Sequence, residues 1–371
     1  MLKILICNFH SHQVNIITPD FLLNRFVLNS DVLPTMQKVS VRSVQDHQPM
    51  TMQVYSRWDL EGMHDFLECL EPDMALKILT CLDDSADLVR ASAVSRYWQK
   101  VVVSNGLCKQ LCMRTFPQLG SITRVVEPSH DNLGKSEHRA YASLFRAITA
   151  FPLTFCIADP VSASSTGYPK DSIKNTICRG SYFKTICRGS YWLSRGSDDP
   201  ETPETLIYNL SANFCVVTEI NLHLRKGWSG YPIYSSRFVR FRMGHPKSVK
   251  DLNYDFIKAQ ECADDKFIWT YTSPVFPVAQ ENLLQKFRLP APVVCIGGYL
   301  QIELLGRVSK SSDDKYYICV AQVEAIGRTL SPLFSVAFSE SSDDVHLKYD
   351  AEECGYILST CGSISRVQPQ H

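Results

Sequence analysis

Three pairs of adjacent carboxylates stand in the sequence: Asp264-Asp265, Asp313-Asp314 and Asp343-Asp344. Paired carboxylates can hold a cation or share a proton. Each pair sits in a stretch that reads as a loop, so a solvated turn is the simpler account. His223 lies on a strand face with no acid–base partner in sight. The fourteen cysteines are scattered, and none forms a Cys-x-x-Cys pair. Cys108 and Cys112 are at helical spacing but have no neighbouring histidine, so no zinc is expected. Cys156, Cys215, Cys295 and Cys319 sit inside apolar runs and read as small buried hydrophobes, which suits a reducing compartment. The sequence has no nucleophile elbow, phosphate-binding loop, dinucleotide fingerprint or HExxH pair. A hydrolase therefore ranks last among the functions considered. The expectation is a binding protein without catalytic residues, cofactor or metal.

Residue types that dominate protein interfaces do cluster. Trp228, Tyr231 and Tyr234 precede a strand carrying Arg237, Arg240, Arg242 and His245. Trp, Tyr and Arg are enriched among the residues that carry binding energy. Trp228, Tyr231, Tyr234, Arg240 and Arg242 are thus the candidate target-binding residues. The plainer account of Arg240 and Arg242 is a solvated strand face.

Two kinds of periodicity must position these residues. From Phe66 the pattern is helical: Phe66, Leu70, Met74, Ile78 and Leu82 recur every four residues, with Leu67, Leu76 and Leu79 on the flank. Pro72 suits an early helical position, and Asp83-Asp84-Ser85 marks a break and a new N-cap. A second helix carries Leu88, Val89, Ala91 and Ala93; a third, from about Val94 to Val103, carries Val94, Trp98 and Val101 on one face. Three short helices make a small core, of the kind a partner usually completes. Residues 120–137 read as a polar loop, and His138–Thr149 as an amphipathic helix with Tyr141, Leu144, Phe145 and Ile148 as its stripe.

After Phe151 the period becomes two. The stripes are Val216, Thr218, Ile220, Leu222 and Leu224; Val239, Phe241 and Met243; Leu300, Ile302 and Leu304; and Tyr317, Cys319, Ala321, Val323 and Ala325. Strands parted by Gly, Pro and Ser clusters predict an all-β sandwich or barrel. Gly297-Gly298 reads as a turn before a strand. Thr176–Tyr182 recurs as Thr185–Tyr191, a local duplication too short for a solenoid.

Lys plus Arg and Asp plus Glu number 38 each in 371 residues, so nothing suggests a nucleic-acid footprint. No run approaches the roughly 18 apolar residues of a membrane span, and no membrane partner is expected. The opening apolar stretch breaks at Asn8, before a signal peptide's apolar region is complete. The division expected is a disordered extension at 1–62, a helical module at 63–118, a linker with one helix at 119–150, a β domain at 151–338 and a tail at 339–371.

The helical segment carries Leu70-Glu71-Pro72, Ile78-Leu79, Leu82, Leu88, Val94-Ser95 and Trp98 in order and without a gap. It resembles the F-box, whose pattern is a Leu-Pro opening, an Ile-Leu-x-x-Leu helix, a leucine in the second helix and Val-Ser-x-x-Trp in the third. Glu71 departs from it, standing where the proline is usual, with Pro72 one place later. The resemblance implies docking on a Skp-type adaptor, which links the box to a cullin and a RING protein. Leu70, Ile78, Leu79, Leu82, Leu88, Val94 and Trp98 are then the adaptor-binding and core set.

The whole chain is similar to a plant F-box family in which the box precedes one β domain. That domain more faintly resembles the discoidin-like, galactose-binding jelly roll, on Ala163-Ser164-Ser165-Thr166, Tyr191-Trp192-Leu193-Ser194, Glu204–Leu210, Lys286–Pro290, Tyr299–Gly306 and Tyr317–Gly327. The fold class expected is α+β multidomain: a small three-helix F-box module followed by a jelly-roll-like sandwich. The function implied is a non-catalytic substrate receptor of a Skp-cullin-F-box ubiquitin ligase, in the nucleus and/or cytoplasm. The alternatives are a glycan- or glycoprotein-binding F-box receptor, with Trp228 and Tyr231 as a sugar platform, and an F-box scaffold that works without a ligase.

Overall fold

The computed structural model describes residues 4–7, 14–17, 65, 67–126, 133–177, 191–225, 232–247, 266–339 and 344–351. The chain divides into two compact units, Met1–Asn105 and Gly106–His371.

The first unit opens on an antiparallel hairpin, β1 (Ile4–Cys7) with β2 (Val14–Ile17), inside the segment expected to be an extension. Three helices follow: α1 (Pro72–Thr80), α2 (Ser85–Ser92) and α3 (Arg96–Ser104). Pro72 sits at the start of α1, where its missing N–H costs nothing. Asp84 caps α2 by accepting from the Ala86 amide at 2.8 Å. Asp87, which stands at the spacing of a capping box, instead pairs with Arg90 at 2.6 Å. Ser95 caps α3 by accepting from the Trp98 amide at 3.3 Å.

The second unit begins with α4 (Leu107–Thr115), a helix the sequence reading did not separate from the module before it. Next come β3 (Ile122–Val126) and α5 (Leu133–Ala150). Tyr141, Leu144, Phe145 and Ile148 are buried, as the stripe on α5 predicts. Lys109 pairs with Glu137 at 2.8 Å, the Cys112 thiol donates to the Tyr141 carbonyl at 3.3 Å, and Phe116 lies 6.0 Å from Phe145, so α4 and α5 pack together.

The remaining strands are β4 (Thr154–Phe155), β5 (Ile157–Ala163), β6 (Trp192–Leu193), β7 (Glu204–Leu210), β8 (Phe214–Leu224), β9 (Ser236–Pro246), β10 (Phe267–Thr272), β11 (Phe276–Pro277), β12 (Leu284–Ile296), β13 (Tyr299–Arg307), β14 (Cys319–Thr329), β15 (Phe334–Phe338) and β16 (Val345–Tyr349). One antiparallel sheet has the order β10-β9-β13-β7-β5, with β11 on β9. A second has the order β12-β8-β14-β4, with β6 on β14. Their inner faces share one core. Leu206, Tyr208, Phe241, Met243, Leu300 and Ile302 come from the first sheet, and Ile220, Leu222, Phe287, Val293, Val323 and Ala325 from the second. This is a two-sheet sandwich, the architecture expected from the alternating stripes. Gly297 and Gly298, at φ 99° and 77°, make the turn from β12 to β13 that only residues without a Cβ adopt freely.

Two stripes are corrected by bulges. On β8 the core receives Cys215 and Val217, then Ile220, Leu222 and Leu224; Val216 is buried outside that core. The register against β14 slips at this point, with Ile326 opposite Glu219 and Gly327 opposite Val217. Thr218 turns out of the stripe and donates its hydroxyl to the Ile326 carbonyl at 3.0 Å. On β14 a second slip, between Val320 and Gln322, sends Val320 inward in place of Cys319 and Ala321. A bulge adds one residue to one strand and so reverses which side chains face in.

A third sheet has the order β15-β16-β3, with β16 parallel to β3. It draws a strand from within the expected polar loop at 120–137 and another from the expected tail. Val345, Leu347 and Tyr349 are buried there. Pairing between residues more than two hundred positions apart leaves no local period to read.

Candidate functional site

The helices of the first unit sort the seven residues expected to bind an adaptor. Leu79, Leu88 and Trp98 are buried, together with Leu67, Ala75, Ala91, Val101 and Val102. Leu70, Ile78 and Leu82 are half-buried. Val94 is exposed at 38%, and so are Met74 at 41% and Val89 at 42%. The four-residue stripe Leu70-Met74-Ile78-Leu82 is therefore the outward one, and its flank supplies the core. Val89, missed as a surface residue by sequence reasoning, follows the buried Leu88 directly. Helical geometry separates neighbours by about 100°, which here turns Leu88 inward and Val89 outward.

One further residue enters here without a sequence signal. Asp65 Oδ1 accepts from the Trp98 indole Nε1 at 2.7 Å, and its Oδ2 accepts from the Ser95 hydroxyl at 2.5 Å. The same Oδ1 accepts from the Leu67 amide at 3.1 Å.

In the β domain, five of the residues quoted for the jelly-roll resemblance, Ser164, Ser165, Trp192, Ser194 and Glu204, join one network around Arg307, which ends β13. Its Nη2 donates to Glu204 Oε1 at 2.5 Å. Its Nη1 donates to the carbonyls of Arg195 at 2.8 Å and Tyr316 at 2.9 Å, and to Ser194 Oγ at 3.2 Å. Its Nε donates to the Thr202 carbonyl at 3.1 Å. The hydroxyls of Ser164 and Ser165 donate to the same Glu204 carboxylate. The Trp192 indole donates to the Ser165 carbonyl at 3.0 Å. This network anchors the loops after β5 and β6 and before β14 at one end of the sandwich. Its carboxylate and guanidinium are buried and engaged, and both serine hydroxyls are spent on Glu204. The arrangement holds loops in place and offers no activated nucleophile.

Trp228 and Tyr231 lie outside the described residues. Tyr234 is buried, with its ring 5.8 Å from Tyr317. Arg240 and Arg242 both reach Glu303 on β13, Arg242 Nη2 at 3.1 Å from Oε1. Glu303 thus neutralises part of the expected basic face. Arg237 pairs with Glu201 at 3.0 Å, and the His245 ring lies 4.3 Å from Phe338.

Asp313 and Asp314 form a turn. Asp313 accepts from the Tyr317 hydroxyl at 2.6 Å, which holds its carboxyl below the usual range and pushes the Tyr317 phenol up to about 12. Asp314 pairs with Lys310 at 2.7 Å. Asp344 is described, whereas Asp264, Asp265 and Asp343 lie outside the described residues. His223 stands on β8 between Leu284 and Gln322. Among the described residues no group of three or more His, Cys, Asp or Glu side chains could hold a metal ion, and no helix is long and apolar enough to cross a membrane. Cys156, Cys215, Cys295 and Cys319 are buried in the manner of apolar residues.

A helical module that displays aliphatic side chains is followed by a β-sandwich with anchored loops. Residues 72–114 match the F-box-like family. The chain is 42% identical over 305 residues to F-box protein At4g00755 of Arabidopsis thaliana, covering 76% of this chain and 80% of that one. The chain belongs to this F-box protein family. Among solved structures it is similar to the family 32 carbohydrate-binding module of C. perfringens NanJ in complex with galactose. That match is 12% identical, covers 48% of this chain and 96% of the other, and has a TM-score of 0.30. Wild-type discoidin II from Dictyostelium discoideum is 10% identical, over 50% of this chain and 59% of the other, with a TM-score of 0.29. The sandwich rests on its own strand pairing.

Proposed function

We propose that this F-box protein is the target-recognition subunit of a Skp-cullin-F-box ubiquitin ligase. The observation that carries the reading is the exposure of Met74, Val89 and Val94 beside the half-buried Leu70, Ile78 and Leu82. Met74, Ile78 and Val89 lie on short helices whose buried residues are different ones, and Leu70, Leu82 and Val94 lie in the segments that flank those helices. Helix-borne aliphatic anchors of this kind suit docking against a helical partner. The β domain would capture the target, and the transfer chemistry would belong to partner enzymes brought close to it. The setting is the nucleus or cytoplasm. The glycoprotein-receptor alternative relies on Trp228 and Tyr231, which lie outside the described residues.

The test is calorimetric titration of the full chain with a purified Skp-type adaptor, beside Val89→Asp and Val94→Asp. Binding by the natural chain, lost in variants that keep its helix content, supports the reading. A folded natural chain that does not bind overturns it in favour of a ligase-independent scaffold.

A further inference from the structure

Docking through α1 needs a fixed entry to that helix, yet the entry is not secured locally. Glu71, at the N-cap of α1, makes no side-chain capping hydrogen bond, whereas Asp84 and Ser95 cap α2 and α3. The hold on this entry comes from Asp65. Its carboxylate takes the Trp98 indole at 2.7 Å and the Ser95 hydroxyl at 2.5 Å, joining the chain before α1 to the start of α3. It also takes the Leu67 amide at 3.1 Å. The turn continues with the Glu68 amide donating to the Asp65 carbonyl at 2.9 Å and the Leu70 amide to the Leu67 carbonyl at 3.3 Å. Leu67 is buried, and the turn delivers Leu70 to the outward stripe. Ser95 and Trp98 are the same residues that carry the F-box resemblance in α3, so one carboxylate couples both ends of the module.

We infer that Asp65 is a positioning residue for adaptor docking: it fixes the turn that leads into the uncapped α1 and so sets Leu70, Met74 and Ile78 against the partner. This inference rests on the docking reading above, and extends the working module N-terminal to the segment matched by the family. Hydrogen bonds to an ionised acceptor are among the stronger ones, and Asp65→Ala also strands the buried indole donor.

The experiment is titration of the full chain with the purified adaptor, comparing the natural chain with Asp65→Ala, Asp65→Asn, Trp98→Phe and the Asp65→Ala/Trp98→Phe double variant, with Val94→Asp as the docking-face control. Asp65→Ala is expected to weaken binding by about tenfold or more. Asp65→Asn keeps an acceptor for the indole and the Leu67 amide, and is expected to restore most of the affinity. Asp65→Ala should matter less when Trp98 is already Phe, because the two share one bond. Natural affinity in Asp65→Ala, with binding lost in Val94→Asp, overturns the role of Asp65 and leaves the docking reading standing. No binding by the natural chain overturns both. If Asp65→Ala loses helix content, the other two variants decide: weakened Trp98→Phe beside near-natural Asp65→Asn supports the role, and equal affinities overturn it.

Discussion

Glu204 and Arg307 form an ion pair of 2.5 Å in which the side chains are only 3% and 2% exposed. The pair lies at one end of the adjacent strands β7 and β13 and organises the loops there. Removing one partner leaves the other charge buried and uncompensated, which costs about 3–5 kcal/mol. Arg307→Met is therefore expected to destabilise the β domain severely in urea unfolding. Glu204→Met added to it should recover part of the loss, since no bare charge then remains.

Leu88 and Val89 are sequence neighbours with opposite duties. Leu88 is buried and Val89 is exposed at 42%. Leu88→Ala is expected to cost about 2–5 kcal/mol, the range for emptying a packed leucine site. Val89→Ala should change stability by less than about 0.5 kcal/mol. Unfolding of the helical unit followed by circular dichroism distinguishes the two.

Gly244 lies where β9 meets β10. A Cβ there would stand 2.0 Å from the Ile268 carbonyl oxygen, which is backbone and cannot swing away. The β10 register also slips beside this point, between Trp269 and Tyr271. Gly244→Ala is expected to cost about 1–3 kcal/mol, as overpacking does, and to speed amide exchange along β10 first.

Burial raises the Tyr208 phenol above its ordinary range. Its hydroxyl shares a 2.9 Å hydrogen bond with Thr176. The folded state therefore holds this proton more tightly than the unfolded chain, whose tyrosines titrate near about pH 10. The associated stability is complete below that pH and is lost as pH rises through it toward the folded value. The melting temperature should fall above about pH 10, and Tyr208→Phe should flatten that fall.

Cys69 and Cys81 are exposed, whereas Cys108, Cys112, Cys156, Cys215, Cys295 and Cys319 are buried. Burial pushes the Cys108 thiol up to about 12, so it stays protonated and unreactive at neutral pH. Brief treatment of the native chain with iodoacetamide is expected to label Cys69 and Cys81 and spare those six, as read by peptide mass spectrometry.

The sequence by itself determined the existence of α1, α2, α3 and α5, the two-residue alternation of the main strands and the F-box pattern, because each is a local repeat of residue types, whereas α4 was not separated from the module before it. Asp84 was legible as a helix start for the same reason, since a cap acts on an amide two or three residues away, whereas Ser95 fell inside a third helix expected from about Val94. The tertiary structure decided which apolar face points outward. Leu70, Met74, Ile78 and Leu82 form as regular a stripe as any core, and only packing shows that Leu67, Ala75 and Leu79 are buried instead. It also decided every contact that spans the chain: Asp65 with Trp98, Glu204 with Arg307, Arg240 and Arg242 with Glu303, and β3 with β16. Such pairs meet through strand register and helix packing. No spacing in the sequence encodes a meeting between residues tens or hundreds of positions apart, and a single bulge at Thr218 is enough to reverse the faces a local period assigns.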